Sequence, residues 1–154
     1  TLGCIKNEEI GKDILNQCDQ LLVPGAIRSL ADKKVDFPAP IYFNGKLLNN
    51  PNLPYQGHYT GDENTNRKPA YHNGTAWTWI FPSYIEALIL YYGPTVKSKS
   101  MSFLNSSSLL VESGCIGQIP EILDGDTPHK QRGCCAQAWG ITELYRVYNY
   151  ISEI

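Results

Sequence analysis

The sequence predicts an all-α chain, and three observations carry that reading. Four stretches place apolar residues at helical spacing. Glycine and proline gather in the two long connections between them. No run alternates apolar and polar residues convincingly enough to predict a sheet.

The first helix is expected over residues 7–22. Asn7 can cap it, and Glu8 and Glu9 sit in the first turn, where the helix dipole favours negative charge. Ile10, Ile14, Cys18, Leu21 and Leu22 form its apolar stripe, and Pro24-Gly25 ends it. Residues 23–74 then hold six of the ten prolines and little periodicity. A short hairpin is expected only around Asn44-Gly45, a dipeptide that accepts the positive φ of a tight turn. A connection this long is unusual in a small domain unless it builds a site. Its Tyr55, His58, Tyr59, Asp62, Tyr71 and His72 fit that exception.

The second helix is expected over 75–92, entered or kinked at Pro82 and stopped by Gly93-Pro94. Tyr84, Ile85, Leu88, Ile89, Tyr91 and Tyr92 cover most of its circumference, the pattern of a helix buried between partners. A third helix is expected over 95–112, weakened by its serines, which compete with the helical backbone. After a Gly- and Asp-rich loop over 114–133, a last helix over about 135–151 repeats Ala138, Ile141, Leu144, Tyr145, Tyr148 and Ile151. At 154 residues this amounts to one domain.

Composition excludes several functions. Thirteen Lys and Arg against fifteen Asp and Glu give a net charge of −2, and no basic run offers a nucleic-acid footprint. The longest apolar stretch, 77–92, contains Thr78, Pro82, Ser83 and Glu86, and is shorter than the roughly 20 apolar residues of a membrane-spanning helix. No signal-peptide pattern opens the chain, since Asn7, Glu8 and Glu9 precede any apolar run. Five cysteines, an odd number, argue against a disulfide framework and for reduced, cytoplasmic thiols. Cys115, His129, Cys134 and Cys135 fit no zinc spacing, so neither metal nor cofactor is expected. Without a secretory signal, the acceptor patterns at Asn73 and Asn105 are read as coincidental.

Two stretches concentrate chemistry. In 70–79, Tyr71, His72, Asn73, Thr75, Trp77 and Trp79 set flat aromatic faces beside hydrogen-bonding groups. Such a mixture suits a sugar ring, whose CH faces stack while its hydroxyls need fixed partners. The same residues also make an ordinary aromatic core. In 117–140, Glu121, Asp124 and Asp126 are three carboxylates within six positions, followed by His129, Arg132, Gln137 and Trp139. Glycoside hydrolysis needs paired carboxylates. Calcium loops and plain solvated turns use them too, and Asp124-Gly-Asp126 lacks the rest of a calcium loop.

Tyr71-His-Asn-Gly-Thr-Ala-Trp77, Ile119-Pro-Glu-Ile-Leu-Asp-Gly-Asp-Thr-Pro-His129 and Arg132-Gly-Cys-Cys-Ala-Gln-Ala-Trp139 together resemble the C-terminal amylo-α-1,6-glucosidase domain of glycogen debranching enzyme. The resemblance runs over roughly 20–150. It implies part of an (α/α)6 toroid and an inverting hydrolase releasing glucose from α-1,6 branch points of glycogen or limit dextrin. By the family motif, Glu121 matches the general base, with Asp124 second. Tyr71, His72, Asn73, Thr75 and Trp77 would line the glucose subsite, and Asp124, Asp126, His129, Arg132, Gln137 and Trp139 would shape the loop around the base.

In that family the catalytic acid comes from an earlier segment, and nothing in the first 22 residues matches it. The resemblance therefore implies that 1–154 is the C-terminal part of a longer catalytic domain, inactive alone. Its partners would be the missing N-terminal part of its own domain and a branched α-glucan. Two other readings compete: a non-catalytic glucan-binding relative, and a small helical interaction domain.

Overall fold

A computed structural model describes residues 3–154. The chain is mixed α/β, not all-α, and a five-stranded antiparallel sheet stands beside the helices where a segment of helical toroid was expected.

Helix α1 (Glu8–Asp19) begins as the sequence predicts, with the Asn7 side chain accepting from the Ile10 N–H at 3.0 Å. It ends earlier than expected because Leu22 and Val23 pair with Ile27 and Ala26 instead of continuing the helix. They form β1 (Leu22–Val23), which turns through Pro24-Gly25 and pairs with β2 (Ala26–Arg28). Gly25 has φ +75°, a conformation that glycine adopts without steric cost. The Asn44-Gly45 turn also forms as expected, with φ of +48° and +75°, and joins β3 (Tyr42–Phe43) to β4 (Lys46–Leu47) as a separate exposed hairpin. A wide helical turn over Glu63–Arg67 leads into the single turn α2 (Lys68–Ala70).

The largest departure lies in 75–92. Thr75–Trp77 is strand β5, and α3 starts only at Ile80 and runs to Tyr92. β5 sits mid-sheet, between β2 and β6 (Ile122–Asp124), with β7 (Gln131–Arg132) beyond. Pairing on both sides satisfies the backbone of this buried segment, which Thr and Trp favour as strand formers. The sheet escapes sequence periodicity because its strands are two or three residues long. A two-residue period cannot show itself over that length. Pro82 falls in the first turn of α3, where no helical N–H is required of it.

The expected third helix is broken in two. A 3₁₀ turn (Pro94–Val96) leads into α4 (Lys97–Asn105), and α5 (Ser108–Val111) follows a serine-made break. The Ser106 hydroxyl donates to the Phe103 carbonyl at 2.7 Å and accepts from the Gly25 N–H at 2.9 Å, so it serves the β1–β2 turn instead of the helix. Helix α6 (Ala138–Glu153) closes the chain.

Helix α3 is the centre of the helical layer. Phe81, Tyr84, Ile85, Leu88 and Ile89 are buried against Leu15 of α1, Leu104 of α4 and Val147 and Ile151 of α6. A second cluster joins one sheet face to the helices through Ala26, Ala76, Leu110, Ile119 and Leu123. The alternate residues of β5 and β6 include Trp77 and Ile122, which pack with Tyr59, Ala70 and Tyr71 in a third cluster. The candidate site is built there.

Ile85 is fully buried, so Ile85→Ala should cost about 2–5 kcal/mol through lost apolar burial and the cavity left behind. Urea denaturation should show a lower midpoint with an unchanged m-value. A midpoint equal to that of the wild type would contradict this packing.

Candidate functional site

The site forms where the two chemistry-bearing stretches meet. β5 pairs with β6 in the register Thr75↔Asp124, Ala76↔Leu123 and Trp77↔Ile122. That register sets Tyr71, just before β5, against Glu121, just before β6. The Tyr71 hydroxyl donates to Glu121 Oε1 at 2.5 Å across 50 positions of sequence. The Cys134 N–H donates to Oε2 at 3.0 Å. Both oxygens of the carboxylate therefore accept.

The Glu121 backbone is anchored as firmly. Its N–H donates to the Cys134 carbonyl at 2.8 Å, and its carbonyl accepts from the Thr78 hydroxyl at 3.3 Å. Gly133 has φ +69°, and a Cβ there would lie 2.4 Å from Glu121 Oε2. Conformation and space thus both require glycine beside the carboxylate.

Aromatic rings wall the Tyr71 side. Tyr71 meets His72 and Trp77 edge-on, with centroids 4.9 and 5.4 Å away, and Tyr59 at 6.2 Å. His72 and Trp77 stack face to face at 5.7 Å and 5°. Burial pushes the Tyr71 hydroxyl well above the usual tyrosine range, and the bond to Glu121 adds to that, so the group stays a donor. A second stack joins Trp79 to the half-exposed Trp139 at 5.4 Å.

The other two carboxylates are held by cations. Asp124 is buried and takes a two-pronged contact from Arg132, Nε to Oδ1 at 3.1 Å and Nη2 to Oδ2 at 3.3 Å. That bond raises the Arg132 guanidinium further. Asp126 accepts from Arg28 Nη1 at 3.2 Å and pairs with His58 Nδ1 at 2.7 Å. Burial pushes the Asp126 carboxyl up, but the hydrogen bonds from His58 and Arg28 outweigh it and hold it below the ordinary range. Arg28 also donates to the Gly57 and Gly125 carbonyls, at 2.9 and 2.8 Å. The His58 imidazole reaches Asp32 on its other side at 3.1 Å.

The remaining sequence-predicted residues are placed as follows. Thr75 is fully buried, and its hydroxyl donates to the Tyr71 carbonyl at 2.5 Å, which shapes the turn before β5. The Asn73 amide donates to the Pro69 carbonyl at 3.3 Å. His129, at φ +57°, contacts the Asp124 carbonyl through Nδ1 at 3.1 Å. Gln137 stands at the N-terminus of α6, its N–H donating to the Ile119 carbonyl at 2.9 Å.

The structure adds Arg28, Asp32 and Thr78. Nothing in the Ala-Ile-Arg run of β2 marks Arg28, because its partners lie in two distant loops. Among the described residues no group of three His, Cys, Asp or Glu side chains is arranged to hold a metal ion. Among the described residues no helix is long and apolar enough to cross a membrane.

With this geometry in place, comparison with known proteins decides the family. The family model described as amylo-alpha-1,6-glucosidase matches residues 4–146. The chain belongs to the amylo-α-1,6-glucosidase family. It matches no curated protein and no solved structure. Within this amylo-α-1,6-glucosidase family member, the matched span includes Tyr71, Glu121, Cys134 and the aromatic stacks.

The Asp126–His58 contact makes a pH prediction. The hydrogen bond to Asp126 raises His58 above its ordinary value of about 6.5. The stabilisation from His58 is therefore fully present below about pH 6.5 and is lost as pH rises through the raised value. The Asp126 contribution has the opposite sense. It is present above about pH 3.9 and lost as pH falls through the depressed value. NMR titration of His58 should give a midpoint above 6.5 that drops in Asp126→Asn. A wild-type midpoint at or below 6.5 would show that the pair does not form in solution.

Proposed function

We propose that these residues are the C-terminal part of an inverting α-1,6-glucosidase, with Glu121 as its general base. The observation that carries the reading is the setting of Glu121. Asp124 is bound to Arg132, and Asp126 to Arg28 and His58, while Glu121 has no cation on it. Its partners are a phenol and a peptide N–H, both donors. A carboxylate held this way is oriented as an acceptor, which is what abstraction of a proton from water requires.

In the proposed reaction, water attacks the anomeric carbon of the branch glucose and passes a proton to Glu121. The bond from that carbon to the 6-oxygen of the chain breaks, and a second carboxyl protonates the departing oxygen. Inversion requires this acid on the opposite face, about 6.5–9.5 Å from the base, with the water between. Asp124 and Asp126 are ion-paired acceptors and do not suit that part. We assign the acid to a segment of the parent chain outside these residues.

The substrate is a branched α-glucan such as glycogen or limit dextrin. The His72–Trp77 and Trp79–Trp139 stacks offer flat apolar faces to sugar rings, and the family membership supports this substrate class. Tyr71 acts as a positioning residue for the base, not as a wall of the subsite alone.

The test uses the full-length parent and phosphorylase-limit dextrin. Glu121→Gln should lower kcat for glucose release by about 10²- to 10⁴-fold, the range of a positioned base, with KM little changed. NMR of the initial product should show β-glucose. Full activity in Glu121→Gln would remove the assigned base, and initial α-glucose would exclude inversion. A parent that binds limit dextrin without releasing glucose would favour a purely glucan-binding protein.

A further inference from the structure

The site has a sulfur neighbour that the hydrolase reading does not use. Three of the five cysteines, Cys115, Cys134 and Cys135, converge beside Glu121 although 20 positions of chain separate the first from the last. The neighbouring Cys135 thiol pushes the Cys115 thiol above the ordinary thiol range, with burial and Cys134 adding to it. The backbone independently brings their segments together, since Gln137 N–H reaches the Ile119 carbonyl at 2.9 Å and Glu121 N–H the Cys134 carbonyl at 2.8 Å. Cys134 and Cys135 are exposed and Cys115 is half-buried; all three are unoxidised. The Cys134 thiol donates to the Ala136 carbonyl at 3.5 Å.

We propose that Cys115 and Cys135 are a peroxide-sensitive dithiol whose disulfide ties the 114–117 turn to the segment that holds Glu121. Of these two, Cys135 is the exposed sulfur and the one that a hydroperoxide reaches first. Its thiolate attacks one peroxide oxygen, the O–O bond breaks, and the sulfur becomes a sulfenic acid. With hydrogen peroxide as oxidant, the hydroxide released takes the thiol proton and leaves as water. Cys115 sulfur then attacks Cys135 sulfur, the S–O bond breaks, and the hydroxyl leaves as a second water with the Cys115 proton. Two thiols and one peroxide give one disulfide and two waters, and two electrons pass from sulfur to oxygen.

The local backbone allows the closure. A disulfide needs its sulfurs at about 2.05 Å, closer than two free thiols stand. Gly114, Gly117 and Gly133 flank the cysteines at φ of +63°, +80° and +69°, and glycine is the residue that tolerates change there. Cys134 and Cys135 are adjacent, a poor geometry for a disulfide between themselves. The Cys134 peptide donates to Glu121 Oε2 and accepts from Glu121 N–H, so the proposed bond lies one residue from the carboxylate's anchor.

The test does not depend on hydrolysis. The reduced chain is treated with one equivalent of hydrogen peroxide, remaining thiols are alkylated, and unreduced peptides are mapped by mass. The expected product is a Cys115–Cys135 crosslink lighter by two hydrogens, with two alkylation sites lost and both restored by dithiothreitol. The crosslink should persist in Cys134→Ser. In Cys115→Ser it should vanish, leaving Cys135 trapped by dimedone as the sulfenic acid. A Cys134–Cys135 crosslink, a crosslink between copies, or a Cys135 that stays fully alkylated would overturn the proposal. The first arm uses the unsubstituted chain, so a variant that misfolds cannot decide the result.

Discussion

The pairing of β5 with β6 is the constraint on which the site depends. Three residue pairs in antiparallel register bring two stretches about fifty positions apart into contact. Each strand is too short to be stable alone, and a two-stranded ribbon of this length would be marginal at best. The register holds because one face, Ala76 with Leu123, is buried on the helices, while Trp77 and Ile122 pack under Tyr71. A slip of one residue would exchange those faces, breaking both packed clusters and separating Tyr71 from Glu121.

Around that pairing, the acids are distributed by cost. A buried carboxylate is expensive unless its oxygens are satisfied. Asp124, the most buried of the three, takes the bidentate arginine. Asp126, at the turn, is held by Arg28 and His58, and the same arginine secures the carbonyls of Gly57 and Gly125. These ion pairs fix the loop on either side. Glu121 is left to neutral donors. Structural and chemical roles are thus separated among three like residues within six positions.

How much of this was legible in the sequence varied with the length of each element. Helix α1 was legible through Asn7 and its apolar stripe, and the β3–β4 hairpin through Asn44-Gly45. The all-round apolar character of the helix expected over 75–92 correctly marked α3 as the most buried helix, though its first residues form β5. The sheet was not legible, because strands of two or three residues express no period. The split between α4 and α5 was hidden for a different reason. Serines weaken a helix generally, but the break at Ser106 exists because that hydroxyl bonds Gly25, 81 positions earlier. Residues such as Tyr71 and Glu121 were noticed because unusual side chains cluster near them. Arg28 was missed because an arginine at the end of an apolar tripeptide carries no local signal.

The sequence by itself determined the start of α1, the stop of α3 at Gly93, the tight turns, the supply of aromatics and the presence of three acids in one loop. Those follow from local chemistry: capping groups, positive-φ residues and side-chain spacing. Tertiary structure alone decided that 75–77 is a strand, that Tyr71 bonds Glu121 and that each aspartate has its cation. Three carboxylates within six positions are nearly equivalent in an extended chain. They become different only when folding sets an arginine, a histidine or a phenol beside each one, and those partners come from parts of the chain that sequence distance keeps apart.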